Sequence, residues 1–92
     1  VLEFKTGKTF DLEELKHTLS NLGYERAEIV DGKGQFCVRG GIIDIGTTKT
    51  QGIRIEFWGD EVDSIRSFSI TSQRSNKMLE NAKISFARID FN

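Results

Sequence analysis

The sequence between Ile53 and Phe68 constrains the fold more than any other part of the chain. Its first half alternates apolar and polar residues in the run Ile-Arg-Ile-Glu-Phe-Trp, residues 53–58. Successive strand side chains point to opposite faces, so this run predicts a sheet with one buried and one solvated face. Gly59 and Asp60 then predict a two-residue turn into an antiparallel strand. The alternation places Trp58 on the solvated face with Arg54.

Length and composition indicate one small domain, residues 1–92, with a modest core. The formal net charge of −1 provides no general attraction for nucleic acid. Cys37 is the single cysteine and cannot form a disulfide within the chain, which suits a reducing compartment. No apolar run approaches the ~20 residues that span a bilayer. We therefore expect a cytoplasmic module that makes no membrane contact.

Local signals predict one helix and several further strands. Asp11 is suited to cap a helix, leucines recur at helical spacing over residues 12–22, and Gly23 is suited to end it. The Gly40-Gly41 pair, inside an expected strand, indicates a bulge, a bend or close approach of another backbone. The expected fold class is α+β, a small antiparallel β-sheet with one amphipathic helix packed on it. Strands are expected at residues 1–6, 24–30 and 36–45 and through Ile84, Phe86 and Ile89, with a helical turn at 77–82.

The residues do not predict catalysis, a cofactor or a metal. His17 is the only histidine, lies off the leucine stripe, and cannot assemble a usual zinc site with one cysteine. Asp60, Glu61 and Asp63 cluster at the hairpin tip without the spacing of a calcium loop. We expect no enzyme activity from this chain.

Three residues remain as candidates for binding a partner: Arg39, Arg54 and Trp58. Arg39 joins the other two if its strand pairs with the strand of Arg54, as sequence adjacency favours. Arginine and tryptophan are the residue types most enriched at binding hot spots. In the alternative interpretation, Trp58 packs at a sheet edge and the arginines pair with Glu56 and the acidic hairpin tip.

Four motifs follow one another along the chain: LGYER at 22–26, GQFCVRGGIIDI at 34–45, RIEFWGDEVDSIR at 54–66 and SQRS at 72–75. In this order they resemble the UvrB-homology module of bacterial transcription-repair coupling factors (Mfd), and UvrB itself has a related domain. The chain departs from the family at Gly46-Thr47, where an aromatic residue and a proline are usual, and at Trp58, where phenylalanine is usual.

The resemblance implies a protein-docking module that binds the excision-repair protein UvrA through Arg39, Arg54 and Trp58. It implies recruitment of repair machinery to stalled RNA polymerase, in the bacterial cytoplasm. This chain would be a fragment of a multidomain DNA translocase and would lack the ATPase and helicase motifs of the parent protein. Another domain of that parent could mask the docking surface.

Two alternatives stay open at this point. The chain could be the equivalent UvrA-binding domain of UvrB. It could also bind single-stranded nucleic acid, with Phe57 and Trp58 stacking on bases and arginines contacting phosphates. Alternation opposes the second alternative, because it places Phe57 and Trp58 on opposite faces.

Overall fold

One helix and eight strands form the fold of residues 1–87, the part of the chain that the computed structural model describes. The expected α+β class is confirmed. No helix in this part of the chain is long and apolar enough to cross a membrane. The elements are β1 (Leu2–Lys5), α1 (Leu12–Asn21), β2 (Glu25–Arg26), β3 (Gln35–Arg39), β4 (Ile42–Gly46), β5 (Gln51–Trp58), β6 (Glu61–Ser69), β7 (Ser75–Leu79) and β8 (Asn81–Ile84).

Helix α1 forms where the sequence predicts it. The Asp11 carboxylate accepts hydrogen bonds from the backbone N–H groups of Glu13, at 3.1 Å, and Glu14, at 3.2 Å. These bonds satisfy donors that have no partner within the helix. Gly23, with φ +95°, ends the helix in a conformation that a side chain would disfavour.

Six strands form one sheet in the order β2-β3-β4-β5-β6-β7, parallel between β2 and β3 and antiparallel elsewhere. Strands β1 and β8 pair in a separate two-stranded sheet. Paired residues share a face of the larger sheet, so its register defines two surfaces. The inner face carries the row Val38, Ile43, Ile55, Ile65 and Leu79, and the outer face carries the row Cys37, Asp44, Arg54, Arg66 and Met78.

The main core lies between the inner face and helix α1. Leu15 and Leu19 bury the apolar stripe of the helix against this face, and Phe4 and Ile84 extend the core into the two-stranded sheet. Each such buried side chain contributes about 1.5–3 kcal/mol relative to an exposed one. A smaller cluster covers part of the outer face and consists of Val30, Cys37, Phe68 and Ile70.

The Gly40-Gly41 pair is a hairpin turn and does not lie inside a strand, so the expectation of one strand over residues 36–45 is wrong. Arg39 pairs with Ile42 across this turn. Gly40 has φ +56°, which suits the first central position of a two-residue hairpin turn. A second hairpin turn, at Gly59 and Asp60, forms as the sequence predicts, with φ +63° at Gly59.

Three other expectations are corrected. The strand expected over residues 24–30 is only Glu25–Arg26, because the following segment leaves the sheet edge and buries Val30 in the outer-face cluster. The helical turn expected over residues 77–82 is instead the end of β7 and the start of β8. The last strand ends at Ile84, Phe86 lies beyond it, and Ile89 is outside the described residues.

Candidate functional site

The outer face carries all three candidate residues. Arg54 and Trp58 both point outward from β5. Arg39 lies opposite Ile42, which pairs with Glu56, so its outer-face row runs between the rows of Arg54 and Trp58. Trp58 is 83% exposed, whereas the neighbouring Phe57 is 6% exposed and belongs to the main core. A β-bulge separates the Glu56–Ser64 pair from the Phe57–Val62 pair, and alternation along β5 continues through it.

The two arginines meet on one buried carboxylate, that of Asp44. Arg54 donates in bidentate fashion, from Nε to Oδ1 at 2.8 Å and from Nη2 to Oδ2 at 3.1 Å. Arg39 donates from Nη2 to Oδ2 at 3.0 Å. The Asp44 side chain is only 2% exposed. A buried carboxylate needs this compensation, because an unpaired charge in that position is strongly unfavourable.

Arg54 is held on every side. Its Nη1 donates to the Gln73 carbonyl at 3.1 Å and to the Ser75 hydroxyl at 3.2 Å. Its guanidinium carbon lies 4.6 Å from the centre of the Phe68 ring, a cation–π geometry. Only 15% of the side chain is exposed. Arg54 is therefore part of the packed structure of the outer face.

Arg39 is placed differently, because 53% of its side chain is exposed. It lies between two depressions. The first, here named the cleft, has a volume of about 340 Å³ and is lined by Glu28, Ile29, Cys37, Arg39, Asp44, Arg54 and Gln73. The second, the Trp58 groove, has a volume of about 500 Å³ and is lined by Arg39, Gly41, Ile42, Glu56, Phe57, Trp58 and Asp63. Arg39 thus lies between Trp58 and the buried Asp44–Arg54 ion pair.

Asp44 is the residue that sequence reasoning missed. The alternative interpretation paired the arginines with Glu56 and the acidic hairpin tip, but every salt bridge they make within residues 1–87 goes to Asp44. One signal pointed to it: Asp44 is a lone carboxylate in the apolar run 42–45, and alternation gives it the parity opposite to Ile43 and Ile45. A carboxylate inside a buried strand requires a cationic partner.

Cys37 has a structural role in the cleft wall. Its thiol donates to the Glu28 carbonyl at 3.0 Å and ties the segment after β2 to the sheet. Burial raises the pKa of the Cys37 thiol, and Coulombic attraction to Arg39 opposes that rise. The side chain is therefore a neutral packing group. His17 lies exposed on α1.

The structure defines a small α+β domain whose one exposed tryptophan stands beside a half-exposed arginine on a braced sheet face. The chain belongs to the UvrB interaction domain family, whose profile matches residues 2–89. Three curated relatives are each named transcription-repair-coupling factor. They come from Staphylococcus haemolyticus (42% identical), Staphylococcus epidermidis (40%) and Staphylococcus aureus (38%), each over 86 residues that cover 94% of this chain. The chain spans 7% of the length of these relatives. The resemblance inferred from the motifs is confirmed.

Proposed function

We propose that this chain is a docking module that binds the damage-recognition protein UvrA through the outer face of its larger sheet. The observation that carries the proposal is the 83% exposure of Trp58 in a chain of the UvrB interaction domain family. Burying an exposed indole against a partner removes apolar surface from water, which is favourable for binding. In this role the module performs no reaction of its own.

The proposed docking surface comprises Arg39 and Trp58, which contact UvrA, and the mostly buried Arg54, which supports them from within the sheet. Trp58 supplies apolar area, and Arg39 supplies a guanidinium with donors left for a carboxylate on UvrA. Glu56 and Asp63 line the groove beside Trp58 and make its rim polar. An aromatic anchor beside an arginine, within a polar rim, is the usual composition of a protein–protein hot spot.

The biological role that follows is transcription-coupled repair. The module recruits UvrA, and with it excision repair, to RNA polymerase stalled at a lesion in the bacterial cytoplasm. The relatives' name, transcription-repair-coupling factor, supports this role.

Binding of single-stranded nucleic acid is the competing function, and the exposed indole is the feature that favours it. Two observations oppose it. Phe57 lies in the main core and is not available to stack on a base. Glu28, Glu56 and Asp63 line the depressions on either side of Arg39, so this face offers one cation for a single carboxylate but no continuous track of positive charge for a phosphate backbone.

A calorimetric titration of the chain with UvrA tests the proposal through Arg39→Glu. Reversing the charge of a residue that pairs with a carboxylate typically costs about 2–5 kcal/mol, so we expect at least a tenfold loss of affinity. Lys83→Glu is the matched control, because Lys83 is an exposed cation on β8 that lines neither depression. Arg54→Glu is a poorer probe, because it removes the bidentate partner of Asp44 and places a carboxylate at a position that is only 15% exposed. A glutamate at position 39, which is half-exposed, can turn away from Asp44 into water.

Two results would count against UvrA docking at this surface. One is an unchanged affinity for UvrA in a folded double variant that carries both Arg39→Glu and Trp58→Ala. The other is a tight, steeply salt-dependent affinity for single-stranded DNA, which would point to the nucleic-acid alternative.

A further inference from the structure

We propose that Asp44 is the positioning residue of the docking surface, and that Arg54 braces Asp44 while Arg39 makes the contact. This inference rests on the proposed binding of UvrA and divides the work among the residues of that site. It assigns a role to a side chain that no partner can reach, since Asp44 is 2% exposed.

The Asp44 carboxylate is fully engaged within the domain. One oxygen accepts from Arg54, and the other accepts from both Arg54 and Arg39. The bidentate bond from Arg54 fixes the plane of the carboxylate, because two parallel N–H···O bonds leave it no rotation. The carboxylate therefore presents Oδ2 to Arg39 in one direction.

Arg54 in turn is fixed by the SQRS turn, a motif whose role the sequence left open. Its Nη1 reaches Gln73 O and Ser75 Oγ, so every nitrogen of its guanidinium has a partner. Gln73 has φ +64°, and its side-chain amide donates to the carbonyls of Val30 and Ile70. The turn thereby locks Arg54 against the cleft wall.

Arg39 still has hydrogen-bond donors that can bind a ligand, unlike Arg54. Within residues 1–87 its single side-chain hydrogen bond runs from Nη2, so Nε and Nη1 remain available to a ligand. Two guanidinium groups share one carboxylate, which leaves one positive charge in excess at Arg39. The chemistry that completes this set is a carboxylate of the partner.

Fixing Arg39 before the encounter reduces the conformational freedom that binding must remove. An arginine side chain has many rotamers, and immobilising such a side chain is a recognised cost of association. The bond to Asp44 removes part of that freedom in the unbound domain. Asp44 thus acts on affinity through Arg39 and through no contact of its own.

A double-mutant cycle in the 92-residue chain tests this division of work. Asp44→Asn removes the charge and keeps the shape, and we expect it to weaken UvrA binding about tenfold in the wild-type background, a coupling usual for one hydrogen-bond network. In the Arg39→Ala background we expect Asp44→Asn to change affinity less than about twofold, since the residue through which it acts is gone. Trp58→Ala is the reference and should lose affinity in both backgrounds.

A second design covers the case in which Asp44→Asn does not fold. Asp44→Leu with Arg54→Met replaces both buried charges by apolar residues, an exchange that folded proteins often tolerate. Arg39 then stands untethered, and the same loss of affinity is expected, again only when Arg39 is present. Thermal unfolding of each variant, measured alongside, establishes that the binding data come from folded protein.

The outcomes separate the positioning role from the docking proposal. If Arg39→Ala and Trp58→Ala weaken binding but a folded Asp44→Asn variant binds like the wild type, docking stands and the positioning role is wrong. An equal loss from Asp44→Asn with and without Arg39 also overturns the positioning role, since it shows a general structural effect. If neither Arg39→Ala nor Trp58→Ala affects binding, both proposals fail.

Discussion

Replacing Trp58 by alanine is the sharpest test of the outer face as a binding surface. The side chain is 83% exposed and lies beyond the main core. Substitutions at such positions change the free energy of unfolding by less than about 0.5 kcal/mol. The variant should therefore fold and melt like the wild type, and any loss of UvrA affinity then belongs to the contact itself.

The expected loss follows from the exposed area of the indole. A tryptophan offers about 200 Å² for burial, and at about 25 cal/mol per Å² complete coverage would be worth about 5 kcal/mol. A partner covers part of the ring, and ordering the side chain opposes part of the gain. Half of the upper value, about 2.5 kcal/mol, corresponds to a loss of about 70-fold in affinity.

Isothermal titration calorimetry with UvrA measures this loss directly. Trp58→Phe keeps an aromatic ring and should stay within about tenfold of the wild type, since most of the buried apolar area remains. Phe86→Ala is the control for removing an exposed aromatic, because Phe86 is 68% exposed and lines neither depression at Arg39. If Trp58→Ala retains affinity within about threefold, the area argument and the proposed contact are both refuted.

Three further predictions concern stability and reactivity. Cys37 should react with a thiol reagent at pH 8 only as fast as the domain opens, because the residue is 2% exposed and burial also raises the pKa of its thiol. Gly52→Ala should lower the free energy of unfolding in urea by about 1–3 kcal/mol, because an added Cβ would lie 2.6 Å from the backbone oxygen of Ile45. Gly32→Ala is the control and should leave the free energy of unfolding nearly unchanged, because the space around Gly32 is open. Burial raises the pKa of Tyr24 above its usual value. The stability that the neutral phenol contributes is therefore fully present below about pH 10 and is lost as the pH rises through the folded-state pKa. In the Tyr24→Phe variant, the free energy of unfolding should fall less steeply at alkaline pH.

Local chemistry made part of the fold predictable. Asp11 and Gly23 define the ends of the helix through their own side-chain and backbone properties, and these act within one turn of chain. The alternation from Ile53 to Trp58 likewise depends only on strand geometry. It placed Phe57 inside and Trp58 outside, and the structure agrees even though a bulge interrupts the pairing opposite them.

Other elements depended on tertiary contacts that the local sequence does not contain. Strand β2 ends at Arg26, and the chain then crosses to the outer face, where Val30 is buried against a cluster that includes Phe68 from β6. Residues 77–82 were expected to form a helical turn. They instead end β7 and begin β8, because Leu79 pairs with Ile65 and Ala82 pairs with Phe4.

Arg39 and Arg54 show where parity stops being informative about function. Both point outward, both are preceded by a β-branched apolar residue, Val38 or Ile53, and the sequence presents them as equivalent. Cross-strand register separates them, since Arg54 is paired directly with Asp44 while Arg39 lies two residues beyond Cys37, the partner of Asp44 on the other side. With that offset of two residues, 15% of the Arg54 side chain and 53% of the Arg39 side chain are exposed. A loss of binding in an Arg54 variant therefore reflects first the loss of its support for Asp44. Only variants of Arg39 and Trp58 test the contact with UvrA directly.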